Sequence, residues 1–390
     1  MGHDALLTGV EDWLLEQALR DVEVSALFGD LCERLRAIGL PLDRAMLSWP
    51  TLHPVWRSEQ LVWRSDAPME PSRFGFGMDA SAPFVASPMH HMLTRGLPRL
   101  RRRLEGPSAT LDFPVLAELQ GEGFTDYLTA LADFSLTGAR RYGGSAAVGL
   151  AGSWATRRPG GFDDGDLAAL DRLLRRYAVA VRASLLTRIM ENLCATYLGP
   201  STARRVMDGA IRRGDGERLR ALIWFSDLRG STRAAETLPG EDYLALLNRF
   251  YAVAAQPVID AGGEVLDFLG DGVLGVFPLG ADPAAMIRRA AEAADAAVAA
   301  NLAGPALDFG VGLTVGEVMF GNVGVPERLN FTAIGPAVNA VTRVERHCRI
   351  AGRPVLATAE IAAAEPDRWE ALGAVALDGM AEPVSLFARR

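Results

Sequence analysis

Two acidic turns carry the residue types that could do chemistry in this sequence. Asp227 closes an apolar run (Ala221, Leu222, Ile223, Trp224, Phe225). Leu228-Arg229-Gly230-Ser231-Thr232 follows it, a glycine turn with two hydroxyls able to cap a helix. Asp271, forty-four residues on, sits in Gly270-Asp271-Gly272 between two β-like runs, Val265 to Leu269 and Val273 to Phe277. Two strand-end carboxylates side by side are what a pair of divalent cations needs to hold a triphosphate. Each turn alone also has a plainer reading. Asp-Gly between apolar strands makes a tight hairpin, and Asp227 could simply cap the next helix.

The choice turns on whether the surrounding elements bring the two aspartates together. From Arg220 onward the sequence reads strand, helix, strand-hairpin-strand, helix, strand, strand, helix, strand. The pieces are Arg220 to Ser226, Glu241 to Ala261, Glu264 to Phe277, Pro283 to Ala300, Leu307 to Val315, Val318 to Val323, Asn330 to Ile334, Ala337 to His347 and Pro354 to Ala357. This order predicts an α+β fold with a ferredoxin-like βαββαβ core. There the end of the first strand and the hairpin of the next two lie adjacent, so Asp227 and Asp271 meet.

The first half reads as a smaller α+β domain. Residues 9–38 carry helical periodicity (Val10, Trp13, Leu14, Ala18, Leu27, Leu31, Leu35). Strand-like runs are expected at Ala45 to Leu52, Gln60 to Arg64, Tyr127 to Ala132 and Ala146 to Leu150, with short helices at Met89 to Thr94 and Phe113 to Gln120. Arg101-Arg102-Arg103 reads as a solvated strand or helix end rather than a phosphate patch. A long helix is expected from Asp164 to Tyr197, with Leu170, Leu174, Tyr177, Val181 and Leu185 as an apolar seam. That seam suits either a parallel coiled coil or a helix packed on its own domain. The boundaries are thus 1–163, a linking segment 164–217, and 218–390.

Composition narrows the class. The chain has 390 residues and a net charge of −8, which argues against a general nucleic-acid or anionic-membrane partner. No uncharged run reaches the roughly 18 residues needed to span a bilayer. Cys32, Cys194 and Cys348 lack metal-ligand spacing and suit a reducing cytoplasm. His53, His90 and His91 read as structural rather than as haem or metal ligands. There is no lysine; every side-chain cation other than histidine is arginine.

Four ordered motifs now stand together: Phe225 to Thr232, Gly263 to Asp271, Gly316 to Gly324 and Asn330 to Arg343. In these the segment from about 218 to 390 resembles the catalytic domain of class III adenylate/guanylate cyclases. The first half is similar to the sensor-like, GAF-like region that precedes it in soluble bacterial members. The resemblance implies that ATP is converted to 3′,5′-cyclic AMP and pyrophosphate by in-line attack of the 3′-hydroxyl. It implies two Mg2+ or Mn2+ per site, held by Asp227, Asp271 and the Leu228 carbonyl. The turn of Leu228, Gly230, Ser231 and Thr232 would bind phosphate, as helix N-terminal amides do. Asn339 and Arg343, four apart on one helix face, match the residues that meet ribose and reacting phosphate. In the family those two come from a partner domain, so a homodimer is implied, with an unknown sensory ligand or partner at the first domain.

Three departures accompany the match. Asp267 stands where adenylate cyclases carry an adenine-reading lysine, and Thr332 occupies the partner base-reading position. Asp267 could accept from guanine, so GTP stays open beside ATP. Glu317 and Met380 replace phosphate-binding cations, which leaves open a retired, dimeric signalling module.

Overall fold

The computed structural model describes residues 2–20, 22–133 and 149–390. The chain divides into two compact units, Met1–Thr196 and Tyr197–Arg390.

In the first unit the expected 9–38 helix is two: α1 (Gly2–Ala18) and α2 (Val24–Ala37). Glu23 causes the break by capping α2, accepting from the Ser25 amide at 3.1 Å. Along α2, Val24, Leu27, Phe28, Leu31, Cys32 and Leu35 recur at helical spacing and are buried. Then come β1 (Arg44–Pro50), β2 (Trp56–Arg64), β3 (Ala67–Gly75), α3 (Ala82–Val85), α4 (Pro88–Arg95), β4 (Arg99–Arg103), α5 (Pro114–Gly121), β5 (Asp126–Asp133), β6 (Gly149–Thr156) and α6 (Asp164–Leu198). The six strands form one antiparallel sheet in the order β3-β2-β1-β6-β5-β4.

β3 escaped the sequence reading because Pro68 and Pro71, with Glu70 and Arg73, mask any apolar alternation at this edge strand. The basic triplet lies on β4, where Arg101 and Arg102 pair with Asp126 and Asp112. His53 Nδ1 accepts from the amides of Val55 and Trp56 at 3.1 and 3.3 Å. The 146–148 part of the strand expected at Ala146 to Leu150 lies outside the described residues. Of the two readings of the long-helix seam, packing within its own unit is observed: Leu170, Tyr177, Val181 and Leu185 are buried in the first unit's core and Leu174 packs against it. The opposite face of α6 exposes Val179, Leu186, Met190 and Leu193.

The second unit runs α7 (Pro200–Met207), β7 (Gly216–Leu228), α8 (Ser231–Thr237), α9 (Gly240–Asp260), β8 (Glu264–Leu269), β9 (Gly272–Pro278), α10 (Pro283–Leu302), β10 (Phe309–Val325), β11 (Arg328–Ile334), α11 (Pro336–Ala351), β12 (Val355–Thr358), α12 (Ala359–Ala364), β13 (Trp369–Val375) and β14 (Val384–Arg389). Its sheet order is β13-β14-β12-β10-β7-β9-β8, with β11 paired to the far end of β10. The stretch from β7 to β10 is therefore a βαββαβ unit whose first strand lies between the third and the fourth. The two strands expected at Leu307 to Val315 and Val318 to Val323 are one, because Gly316 and Glu317 continue the ladder opposite Ala221 and Arg220.

As a central strand, β7 is covered on both faces and reads as a continuous apolar run. Leu222 and Trp224 face the core under α9, α10 and α12, whereas Ala221 and Ile223 face α11 and β11. Asp227 shares the second face by the two-residue period of a strand. Opposite it on β10, Gly310, Gly312 and Gly316 form a bare strip on which α11 sits. A Cβ on Gly312 would lie 2.7 Å from the Val341 carbonyl, and one on Gly316 would lie 2.7 Å from the Ala337 methyl. Among the described residues, no helix is long and apolar enough to cross a membrane.

Candidate active site

β7 delivers Asp227 to the edge of the core, and its neighbours across both ladders are glycines, Gly272 on β9 and Gly310 on β10. The β8–β9 turn is made by Gly270, whose φ of +64° is left-handed, and Tyr251 donates its hydroxyl to the Gly270 carbonyl. One backbone bond ties this turn to the strand end: the Leu228 amide donates to the Asp271 carbonyl at 2.9 Å. The topology thus brings Asp227 and Asp271 together. Burial first, and the Asp271 charge second, push the Asp227 carboxyl up to about 6, against the opposing pull of Arg346 and Arg229. A half-buried acid short of compensating charge is electrostatically ready for a cation.

The turn after Asp227 differs in part from expectation. Gly230, with φ of +75°, lets the chain enter α8, but no side chain caps that helix. Ser231 instead donates its hydroxyl to the Asp271 carboxylate, fixing one of its oxygens. The Leu228 and Arg229 amides are engaged by the carbonyls of Asp271 and Asp308. The amides left for an anion are therefore those from Gly230 through Thr232, which have no intrahelical acceptor. No group of three or more His, Cys, Asp or Glu side chains with metal-binding geometry occurs among the described residues. A two-carboxylate site completed by carbonyl, water and phosphate oxygens matches the habits of Mg2+ and fits these residues.

α11 presents two faces. Val341, Val344, Glu345 and Cys348 are buried, while Asn339 is exposed. Arg343 is tied within its own chain, its Nη1 donating to the Asn339 carbonyl at 2.5 Å and its Nε to the Asp378 carbonyl. Among the described residues no hydrogen bond or ion pair links Asn339 or Arg343 to Asp227 or Asp271.

Base-reading candidates lie on neighbouring strands. Asp267 on β8 accepts from the Asn330 side-chain amide at 3.1 Å. Thr332 is two residues further along β11, on the same face as Asn330. Glu317 is exposed on β10, opposite Arg220, and Met380 follows the Asp378 carbonyl that holds Arg343.

Two site residues escaped the sequence reading. Asn330 gave no signal beyond belonging to a motif. Glu345 did give one, a charged residue on the apolar stripe of Val341, Val344 and Cys348. It is 6% exposed, and burial, then the Asp227 charge, push it up to about 7.

No protein-family model matches the chain. Among curated proteins it is similar to uncharacterized protein Rv1319c of Mycobacterium tuberculosis, 34% identical over 179 residues that make up 44% of this chain and 33% of that protein. It is also similar to uncharacterized protein Mb1352c of Mycobacterium bovis, 32% identical over 240 residues, 58% of this chain and 42% of that protein. The chain spans about a third to two-fifths of the length of these relatives. Similar solved structures include a bacterial light-regulated adenylyl cyclase, 25% identical over 45% of this chain and 91% of that one, with a TM-score of 0.39. Adenylyl cyclase CyaB from P. aeruginosa is 25% identical over 45% and 95%, TM-score 0.39. Guanylyl cyclase Cya2 is 28% identical over 45% and 93%, TM-score 0.37.

Proposed function

We propose that the second unit is a class III nucleotide cyclase that converts ATP to 3′,5′-cyclic AMP and pyrophosphate. The observation that carries the reading is the meeting of Asp227 and Asp271 at adjoining strand ends, each flanked by glycine. Asp227, Asp271 and the Leu228 carbonyl would hold two Mg2+ or Mn2+ ions, which stabilise the attacking and leaving oxygens of an in-line displacement. Ser231 keeps the Asp271 carboxylate oriented. The amides from Gly230 to Thr232 meet the triphosphate charge at the start of α8. Asn339 orients the ribose, and Arg343 neutralises charge developing on the reacting phosphate.

In this reading a second copy supplies Asn339 and Arg343, as the resemblance implies, and two-fold pairing makes two equivalent sites. The exposed row Val179, Leu186, Met190 and Leu193 on α6, spaced 7, 4 and 3, supports pairing through that helix as well. In this reading the first unit is the GAF-like regulatory part.

One observation favours a second substrate. The Asn330 amide occupies one oxygen of Asp267 and leaves the other as an acceptor, which suits the N1 and N2 hydrogens of guanine. Incubation of the purified chain with ATP, GTP, CTP and UTP, each with Mn2+ or Mg2+, with cyclic products weighed by mass spectrometry, tests both readings. Cyclic AMP as the main product is expected. Cyclic GMP alone would replace the adenylate assignment, and no cyclic product from any nucleotide would leave a retired signalling module.

A further inference from the structure

Gly310 is where the strand, the following turn and α11 converge. A Cβ there would collide with Glu345 Oε1, would lie 3.0 Å from the Cys348 Cβ, and would lie 3.3 Å from Arg229 Nη2. Gly310 is also the ladder partner of Asp227. Arg229 is anchored beside it, its Nη1 on Asp308 at 2.8 Å and its amide on the Asp308 carbonyl at 2.8 Å. Its Nη2 is buried and has no hydrogen-bond partner. Glu345 is likewise a buried residue, and no hydrogen bond or ion pair among the described residues satisfies its carboxyl.

The arrangement poses an electrostatic question. Arginine cannot shed its proton, and a buried guanidinium arm beside an aspartate is the natural partner for that aspartate. Were Arg229 to pair with Asp227, it would compete with any cation for the same carboxylate. No ion pair joins the two: Arg229 is paired through Nη1 with Asp308, which leaves its buried Nη2 arm to be balanced. Glu345 is the only buried acid of the second unit among the described residues, and its Oε1 and the Arg229 Nη2 lie on the same side of Gly310, around the place a Cβ would take.

We propose that Glu345 is a positioning residue for the cation site: its carboxyl offsets the charge of Arg229 at Gly310 and so leaves Asp227 free to take a divalent cation. This rests on the cyclase reading only in that Asp227 binds metal. The glycine is required, because any side chain at 310 would drive Glu345 from this place. Among the described residues Glu345 forms no group of three with the two aspartates that has metal-binding geometry. It acts through Arg229.

The test is Mn2+ binding to the full chain, followed by the loss of the free-ion electron paramagnetic resonance signal at pH 8 in the presence of a non-hydrolysable ATP analogue. Glu345→Gln, which keeps the shape and removes the charge, should weaken Mn2+ binding about 10- to 100-fold, the range for groups that orient metal ligands. Glu345→Asp should recover part of the loss. The double change Glu345→Gln with Arg229→Gln should return affinity toward wild type, a rescue that a merely structural role would not give. In turnover, Glu345→Gln should raise the Mn2+ needed for half-maximal rate far more than it lowers kcat at saturating Mn2+. Should Glu345→Gln bind Mn2+ as wild type does while Asp227→Asn loses it, the inference is overturned and the cyclase reading stands. Failure of the wild type to bind Mn2+ would overturn both, and an unrescued double variant would overturn the role given to Arg229.

Discussion

In the first unit, the four buried carboxylates Glu11, Glu59, Asp126 and Asp166 each meet at least one arginine. In the second, Glu345 is buried without an ion pair, and half-buried Asp227 beside it is equally without one. The difference is not one of available cations, because Asp295 in the second unit is gripped by Arg368 and Arg389 at 2.9 and 2.8 Å. Acids that only hold a fold are neutralised where they stand, since an uncompensated buried charge is costly. Acids that leave a deficit of positive charge mark the place where an outside cation completes the balance.

The sharpest way to break this contrast is to remove one acid of each kind. Asp227→Ala or Asp271→Ala should abolish cyclic nucleotide formation while circular dichroism and melting stay near wild type. Asp126→Ala should instead strand Arg101 and destabilise the first unit by about 3–5 kcal/mol in a denaturant titration. Full turnover in either active-site variant would remove the two-metal mechanism.

A smaller effect is expected from the other side of the site. Arg343→Ala should lower turnover by roughly two to three orders of magnitude, as when a preorganised transition-state donor is lost. Mixing Asp227→Ala and Arg343→Ala chains under subunit exchange should restore part of the activity, because one of the two shared sites is then intact. No recovery would rule out the shared arrangement.

The two units should also answer pH in opposite senses. Asp227 is raised from 3.8 to about 6 and Glu345 from 4.5 to about 7. Their contribution to stability is complete below the unfolded values and is lost as pH rises through about 6 to 7. In the first unit Asp112 is held low by the Arg102 hydrogen bond and Glu23 by that of Ser25. Their contribution is present above the unfolded values and is lost as pH falls. Hydrogen exchange of the metal-free protein in EDTA, with peptides compared at equal intrinsic exchange, should therefore show β7 and β10 loosening between pH 5 and about 7 while β4 and β5 do not. A response reduced in Glu345→Gln and flat in the double change with Asp227→Asn would confirm the source; an unchanged response in both would discount it.

The smallest change concerns the base. Asp267→Lys should sharpen a modest preference for ATP over GTP, because lysine donates to adenine N1 but not to the guanine N1–H. Sites that hydrogen-bond a distinguishing group separate analogues by up to about 10⁴-fold, against about 10² for apolar ones. Competition between ATP and GTP on both proteins reads the shift, and a variant that comes to favour GTP would remove Asp267 from base reading.

Much of the second unit was legible because its signals are local. The apolar run into Asp227, the Gly270-Asp271-Gly272 turn and the helix after Gly335-Pro336 each declare themselves within a few residues. Their order was enough to predict the pairing of β7 with β9. β13 and β14 were not read, since Gly373 and the exposed Glu370 and Ala371 blur the alternation of β13, and β14 ends on two buried residues in succession, Ala388 and Arg389. On α6 the apolar positions were correctly found, but spacing alone left own-unit packing and a coiled coil equally open.

What the sequence determined by itself, then, is most of the second unit's elements and the two strand-end aspartates, because periodicity and turn chemistry act over short range. Only the tertiary structure decided which face of α6 was free, that Ser231 serves Asp271 rather than a helix cap, and that Asn330 holds Asp267. It alone placed Glu345 against Gly310 beside Asp227, 118 positions earlier in the chain. No local rule encodes that meeting. It exists because three glycines on β10 let a helix settle onto bare backbone, and the balance of charge there depends on everything the fold brings to the same few ångströms.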